Sequence, residues 1–177
     1  MTIVTISDLE TTGRLKPEHR IIEASFRVCN LETQEEIENI LLRFNPKRNI
    51  DAKAQAVHGI SLEDLKGEKT FKEQIPEILR ILNKTDVIVF HNGISFDWPY
   101  LEQEFKLNET KIPDLPIFDT MVHGNFATDL GKNPNLSELC FALDVDYDSS
   151  LAHRGDYDTA VLRDCLFNGI NFGWFQI

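Results

Sequence analysis

Three stretches near the start of the chain, residues 3 to 9, 20 to 30 and 36 to 44, are rich in β-branched and apolar side chains. The last two are joined by the polar run Leu31-Glu32-Thr33-Gln34-Glu35. This pattern predicts three consecutive antiparallel strands. Farther along, Phe71, Ile75, Ile78, Leu79 and Leu82 trace one helical face behind the capping-box pair Thr70 and Glu73. Pro76 falls inside that stretch, where its missing N–H either kinks the helix or marks its start. Residues 86 to 90, with the core Val-Ile-Val-Phe, are short and continuously apolar, as expected of a strand covered on both faces.

Three more helices follow from the same pattern. Ser95 is placed to cap one running through Phe105, and Asn135 to cap one carrying Leu136, Leu139, Cys140 and Leu143. The last, from about Asp156 to Phe167, rests on Ala160, Val161, Leu162, Cys165 and Leu166. Strands in succession, then helices alternating with a buried strand, predict an α/β fold with a mixed sheet and helices on its faces. The 177 residues, without repeats or linkers, fit a single domain spanning 1–177. The apolar tail from Ile170 to Ile177 is able to pack on the body, form a dimer contact or meet a partner.

Composition narrows the picture. There is no apolar stretch long enough for a membrane span and no secretion signal at the start, so a soluble cytoplasmic protein is expected. Cys29, Cys140 and Cys165 are far apart and form no C-x-x-C pair, which suggests small buried side chains in a reducing compartment rather than disulfides or zinc. Trp98 and Trp174 are expected in the core. Arg43, Lys47, Arg48 and Lys53 read as a sparse, solvated basic stretch. The net charge of −11 argues against binding nucleic acid chiefly through long-range attraction to phosphates. That objection loses force where bound divalent cations meet the phosphate, because a metal is often the largest charge in a site.

Three clusters carry candidate chemistry. Period-two alternation puts Asp8 and Glu10 on the same side of the first strand, where two carboxylates repel unless a cation or proton lies between them. His91-Asn92-Gly93-Ile94-Ser95-Phe96-Asp97 places an acid in the first turn of a helix just after a buried strand, where α/β proteins build sites. His153-Arg154-Gly155-Asp156-Tyr157-Asp158 sets a histidine five positions before an acid at the start of the last helix. Each motif alone is common: a solvated strand end, a carboxylate on a helix dipole, a polar loop.

Taken in order, D-x-E, N-x-x-x-F-D and H-x-x-x-x-D resemble the three motifs of the DnaQ-like (DEDDh) exonuclease family. Asp8-Leu9-Glu10-Thr11-Thr12-Gly13, Val57-His58-Gly59-Ile60, Phe118-Asp119-Thr120 and Asn135 to Cys140 extend the likeness, nearest to the epsilon proofreading branch of DNA polymerase III. The resemblance implies an RNase H-like fold, a five-stranded mixed sheet of three antiparallel and then parallel strands flanked by helices. It further implies a 3′-to-5′ exonuclease that hydrolyses single-stranded ends to 5′-mononucleotides.

The resemblance assigns Asp8, Glu10, Asp97 and Asp158 to two Mg²⁺ or Mn²⁺ ions and His153 to activating water. Hard oxygen ligands without cysteine suit those metals independently, and two such ions stabilise both oxygens of an in-line displacement. It puts Leu9, Thr11 and His58 near the terminal nucleotide; His58 equally fits a turn. The chain departs from the family in having Gly155 where alanine is usual, and in carrying a second acid, Asp156. The expected partner is single-stranded nucleic acid with a free 3′ end, DNA before RNA. Alternatives are an RNA-trimming exoribonuclease or oligoribonuclease of the same fold, or a non-catalytic polymerase accessory module. The end at Ile177, soon after the third motif, favours a free-standing enzyme, with a homo-oligomer compatible, over a stable polymerase subunit.

Overall fold

The computed structural model describes residues 1–14 and 17–177. A five-stranded sheet is built from β1 (Ile3–Thr11), β2 (Ile21–Asn30), β3 (Glu36–Arg43), β4 (Val87–Phe90) and β5 (Ile117–Asp119), in the order β3-β2-β1-β4-β5. β1, β2 and β3 pair antiparallel, whereas β4 and β5 join β1 in parallel. The expected α/β architecture, three antiparallel strands continued by parallel ones between helices, is the one found.

The helices are α1 (Ala52–His58), α2 (Phe71–Leu82), α3 (Asp97–Leu107), α4 (Thr120–His123), α5 (Leu136–Ala142) and α6 (Gly155–Asn171). Both capping boxes form, Thr70 with Glu73 ahead of α2 and Asn135 with Glu138 ahead of α5. α2 begins at Phe71 and runs through Pro76. The cap expected at Ser95 is displaced by one residue to Phe96, and α3 starts on Asp97. The physical reason is a backbone turn: the amides of Ser95 and Phe96 bond back to the carbonyls of Asn92 and Gly93.

Alternation along the central strands divides the interior in two. On one face Leu9, Phe26, Phe90, Tyr100 and Phe105 form a core with α2 and α3; on the other Val4, Ile6, Val89, Leu139 and Leu162 pack beneath α5 and α6. Cys29, Cys140 and Cys165 are free thiols buried in the second core, as expected of small apolar residues. Among the described residues no helix is long and apolar enough to cross a membrane.

β2 is buried from Ile21 to Cys29, yet Glu23, Ser25 and Arg27 in its middle are polar. Ser25 bonds Thr159 at 2.9 Å, and the Arg27 guanidinium bonds the Asp156 carboxylate at 2.9 Å while also holding Glu36. These side chains fasten the first turns of α6 to the sheet. Each buried polar group here would cost about 1–3 kcal/mol if left without its partner.

The C-terminal tail packs on the body through Phe175, which is 3 % exposed against Phe118 and Phe126. Trp174 does not join the core as expected. It stacks on Phe126 with ring centroids 4.6 Å apart and stays 56 % exposed, because the neighbouring Phe175 fills the interior position. Trp98 lies against the first core, partly buried. A Cβ on Gly169 would stand 2.2 Å from the Phe175 ring. Gly169→Ala should therefore force the tail off and cost about 1–3 kcal/mol, the usual penalty of overpacking, measured by urea unfolding.

Candidate active site

β1 delivers the first two acids. Asp8 and Glu10 point to the face covered by α6, whereas Leu9 turns into the opposite core and is 4 % exposed. β4 pairs with β1 only as far as Ile6↔Val89, and beyond that point the Leu9 N–H donates to Asp97 Oδ1 at 3.1 Å. Leu9 thus serves the site through its backbone, and little of its side chain is left to meet a substrate.

Asp97 reaches this spot because a turn between β4 and α3 is held by a second buried acid. Asp119, at the end of β5, accepts from the amides of Asn92 (2.8 Å), Ile94 (3.0 Å) and Met121 (3.0 Å). Asn92 takes a left-handed φ of 71°, a conformation asparagine tolerates better than most residues. From the other side, α6 brings Asp158, 8 % exposed, under His153, which is exposed and also left-handed at φ 62°. One ligand atom each from Glu10, His153 and Asp158 lies within 4.8 Å of the others.

The acids disturb one another strongly. Burial, then repulsion from Glu10, Asp97, Asp158 and Glu23, holds Asp8 well above the usual carboxylate range. Burial, followed by Asp158, Glu23 and Asp97, pushes Glu10 from 4.5 to about 9. Burial lifts Asp97 from 3.8 to about 7, although hydrogen bonds from its own backbone and Leu9 pull it down. Burial also raises Asp158, against the opposing pull of the His153 ring and of backbone hydrogen bonds from His153 and Arg154. Carboxylates this crowded are a poor resting place for negative charge and a good one for a hard divalent cation. The donor set, carboxylate oxygens with one imidazole and no sulfur, fits Mg²⁺ or Mn²⁺.

Two clefts flank the cluster. One, of ≈ 520 Å³, is lined by Glu10, Thr11, Arg14, Lys53, Val57 and Phe96; the other, of ≈ 530 Å³, by Glu23, Arg43, His153 and Arg154 among others. His58 borders both. Its Nδ1 accepts the Ile60 N–H at 3.0 Å and burial pushes its pKa down, so the ring is fixed at the end of α1 while also facing the clefts. Thr11 is 5 % exposed and donates its hydroxyl to the Gly13 carbonyl at 2.8 Å.

The five residues of the three motifs are brought together, and Asp156 is not among them. Its carboxylate turns to β2 and β3, accepting from Arg27 and Asn39 (2.7 Å). Two acids were given no role by sequence reasoning. Glu23, 3 % exposed, lies directly across from Glu10 in the β1–β2 register. Its signal was a charge within the apolar run Ile21-Ile22-Glu23-Ala24. Asp119 stood in the family-like segment Phe118-Asp119-Thr120, on a strand too short for periodicity to reveal. Arg43, expected to be solvated, instead pairs with Glu23 at 2.7 Å.

The raised carboxylates set a pH dependence whose sign follows from proton counting. Between 4.5 and about 9 the folded chain holds the Glu10 proton that the unfolded chain has released, and Asp97 behaves likewise between 3.8 and about 7. Stability of the metal-free protein should therefore fall as pH rises across those windows. Added Mg²⁺ should raise Tm more at pH 8.5 than at pH 5.5, since metal and protons compete; differential scanning calorimetry at the two pH values checks this.

Comparison with known proteins agrees with this geometry. Residues 5–165 match the exonuclease family RNase_T. The chain is 29 % identical over 162 residues to a PolC-type DNA polymerase III of Mycoplasma genitalium, covering 92 % of this chain and 11 % of that protein. It is 30 % identical over 167 residues to the DNA polymerase III subunit epsilon of Rickettsia prowazekii, covering 90 % of this chain and 70 % of the subunit. The chain thus spans about a tenth of the length of the PolC-type relatives it matches. The fold superposes on E. coli exonuclease I in a zinc-bound complex with single-stranded DNA, with a TM-score of 0.82 at 16 % identity, covering 97 % of this chain and 41 % of that one. A family match over most of its length, around motifs gathered at one strand end, makes this chain a member of the exonuclease family.

Proposed function

We propose that the chain is a divalent-metal-dependent 3′-to-5′ exonuclease that shortens single strands, DNA before RNA, releasing 5′-mononucleotides. The observation that carries the reading is the convergence of Asp8, Glu10, Asp97 and Asp158 with His153 at the open end of β1. The DNA preference is supported by relatives that are DNA polymerase III proteins.

Asp8, Glu10, Asp97 and Asp158 would hold a pair of Mg²⁺ or Mn²⁺ ions. When bound, the pair supplies positive charge to both the attacking and the leaving oxygen of an in-line phosphoryl displacement. His153, exposed on a loop beside the cluster, takes a proton from the attacking water. The water oxygen bonds to the terminal phosphorus as the bond to the 3′-oxygen of the shortened strand breaks, and that oxygen is then protonated from solvent. The cleft with Thr11, Val57 and Phe96 offers apolar surface for a terminal base, with Arg14 and Lys53 at its rim for phosphate.

Digestion of end-labelled single-stranded DNA, duplex DNA and RNA of matched length tests the reading. Mononucleotides should leave first from the 3′ end, with DNA preferred, and chelation should stop the reaction. Label lost first from the 5′ end, or undiminished cleavage in excess EDTA, overturns it.

Three substitutions separate the roles. His153→Ala should slow turnover by about 10²–10⁴, the usual worth of a positioned base, with little change in Mn²⁺ affinity by calorimetry. Asp158→Asn should lower Mn²⁺ affinity and activity together. Asp156→Ala should spare both and cost roughly 1 kcal/mol of stability through the lost Arg27 contact. A loss of Mn²⁺ binding in Asp156→Ala as large as in Asp158→Asn would make Asp156 the ligand.

A further inference from the structure

Glu23 has no place in the three motifs, yet the sheet holds it beside them. Its register partners are Glu10 on β1 and Arg43 on β3, so the three side chains stand in a row on the face that α6 covers. Like charges directly opposite on neighbouring strands destabilise a sheet, and burial makes the conflict worse. An acid that served packing alone would be out of place here.

Both of its oxygens are engaged. Oε2 accepts from Arg43 Nε at 2.7 Å, and Oε1 accepts from the Gly155 N–H at 3.4 Å. Gly155 is the first residue of α6, two beyond His153 and three before Asp158. The opening amides of a helix have no partners within it, and a carboxylate at that end is favoured by the helix dipole. The approach is close: a Cβ on residue 155 would lie 3.2 Å from Glu23 Oε1, 3.2 Å from Ser25 Cβ and 3.7 Å from Asp8 Oδ2, so a larger residue would make these neighbours give by a few tenths of an ångström.

We propose that Glu23, held by Arg43, is a positioning residue that fixes the first turn of α6 so that His153 and Asp158 meet Glu10. The inference rests on the exonuclease reading of the site. It assigns Glu23 no contact with substrate and no metal. Ser25 and Arg27, two and four positions farther along β2, hold the same helix at Thr159 and Asp156. Of the three, Glu23 acts nearest to His153.

The test compares Glu23→Gln, which keeps one acceptor oxygen, and Glu23→Leu, which keeps none, in the full chain. Turnover on labelled single-stranded DNA should fall about 10-fold and 10²-fold respectively, as a small misplacement of catalytic groups does, with KM within about 2-fold. Hydrogen exchange of the metal-free proteins should quicken in residues 153–158 and stay unchanged across β1 and β4. Relief of crowding beside Glu10 offsets the lost contacts to Arg43 and the Gly155 amide, so Tm should stay within about 4 °C of the unsubstituted chain.

A lowered Tm with faster exchange throughout the sheet would make Glu23 an ordinary structural residue and overturn the proposal. So would unchanged exchange at residues 153–158, whatever the turnover. Should Glu23→Leu fail to fold, Glu23→Gln decides alone. Should the unsubstituted chain cleave no substrate, the exonuclease reading fails, and exchange at residues 153–158 still decides whether Glu23 holds that turn.

Discussion

Four carboxylates meet at the end of one buried strand, and their mutual repulsion is the constraint around which the fold is arranged. Two unit charges 4 Å apart repel by about 4 kcal/mol at the effective dielectric typical of protein sites, and burial adds to that. The strands cannot slip to relieve it, because shifting β1 by one residue would turn Asp8 and Glu10 into the Phe26 core and Leu9 out of it. Asp97 is pinned by the Leu9 amide, and Asp158 by the helix that carries it. The protein therefore keeps a charge deficit that only protons or cations can fill. The upward displacement of Glu10 and Asp97 is the proton form of that deficit.

Holding such a site open requires anchors outside it, and these come from backbone amides and from β2. The turn carrying Asp97 hangs on Asp119, a carboxylate with three amide donors. The turn carrying His153 and the helix carrying Asp158 are fastened by Glu23, Ser25 and Arg27, successive odd residues of one strand. A strand with apolar side chains on one face and hydrogen-bonding ones on the other, both buried, is costly to fold. Here Glu23, Ser25 and Arg27 each bond a residue of α6, so the contacts that secure the helix also bear on the geometry of the site.

That arrangement explains what could be seen in the sequence. The D-x-E pair was legible because strand alternation alone places both side chains together. The caps at Thr70 and Asn135 were legible because each depends on local sequence, the first on a pair three positions apart and the second on a capping residue just ahead of an apolar run. The roles of Glu23 and Asp119 were not, since they arise from contacts between segments distant in sequence, and periodicity along one strand carries no such information. The cap at Ser95 failed for a local reason: a tight backbone turn spent the residues that a side-chain cap would have used. Trp174 and Phe175 show the limit of hydrophobicity as a guide. Of two adjacent aromatics at a chain end, the phenylalanine fills the interior and the tryptophan covers Phe126 from outside.

The excess of acid, read in the sequence as an argument against nucleic acid, takes another meaning once the side chains are placed. Asp8, Glu10, Asp97 and Asp158 crowd together, and on the proposed function their charge serves a cation site rather than forming a barrier to phosphate. Others are already matched: Glu36 by Arg27 and Arg163, Glu38 and Glu77 by Arg80, Asp164 by Arg163. Among the described residues, the cations outside such pairs include Arg14 and Lys53 on one cleft and Arg154 on the other, both next to the cluster. What governs an approaching phosphate is the field within about 8 Å, the screening length at physiological salt. At that range the local order of these residues outweighs the net charge of the chain.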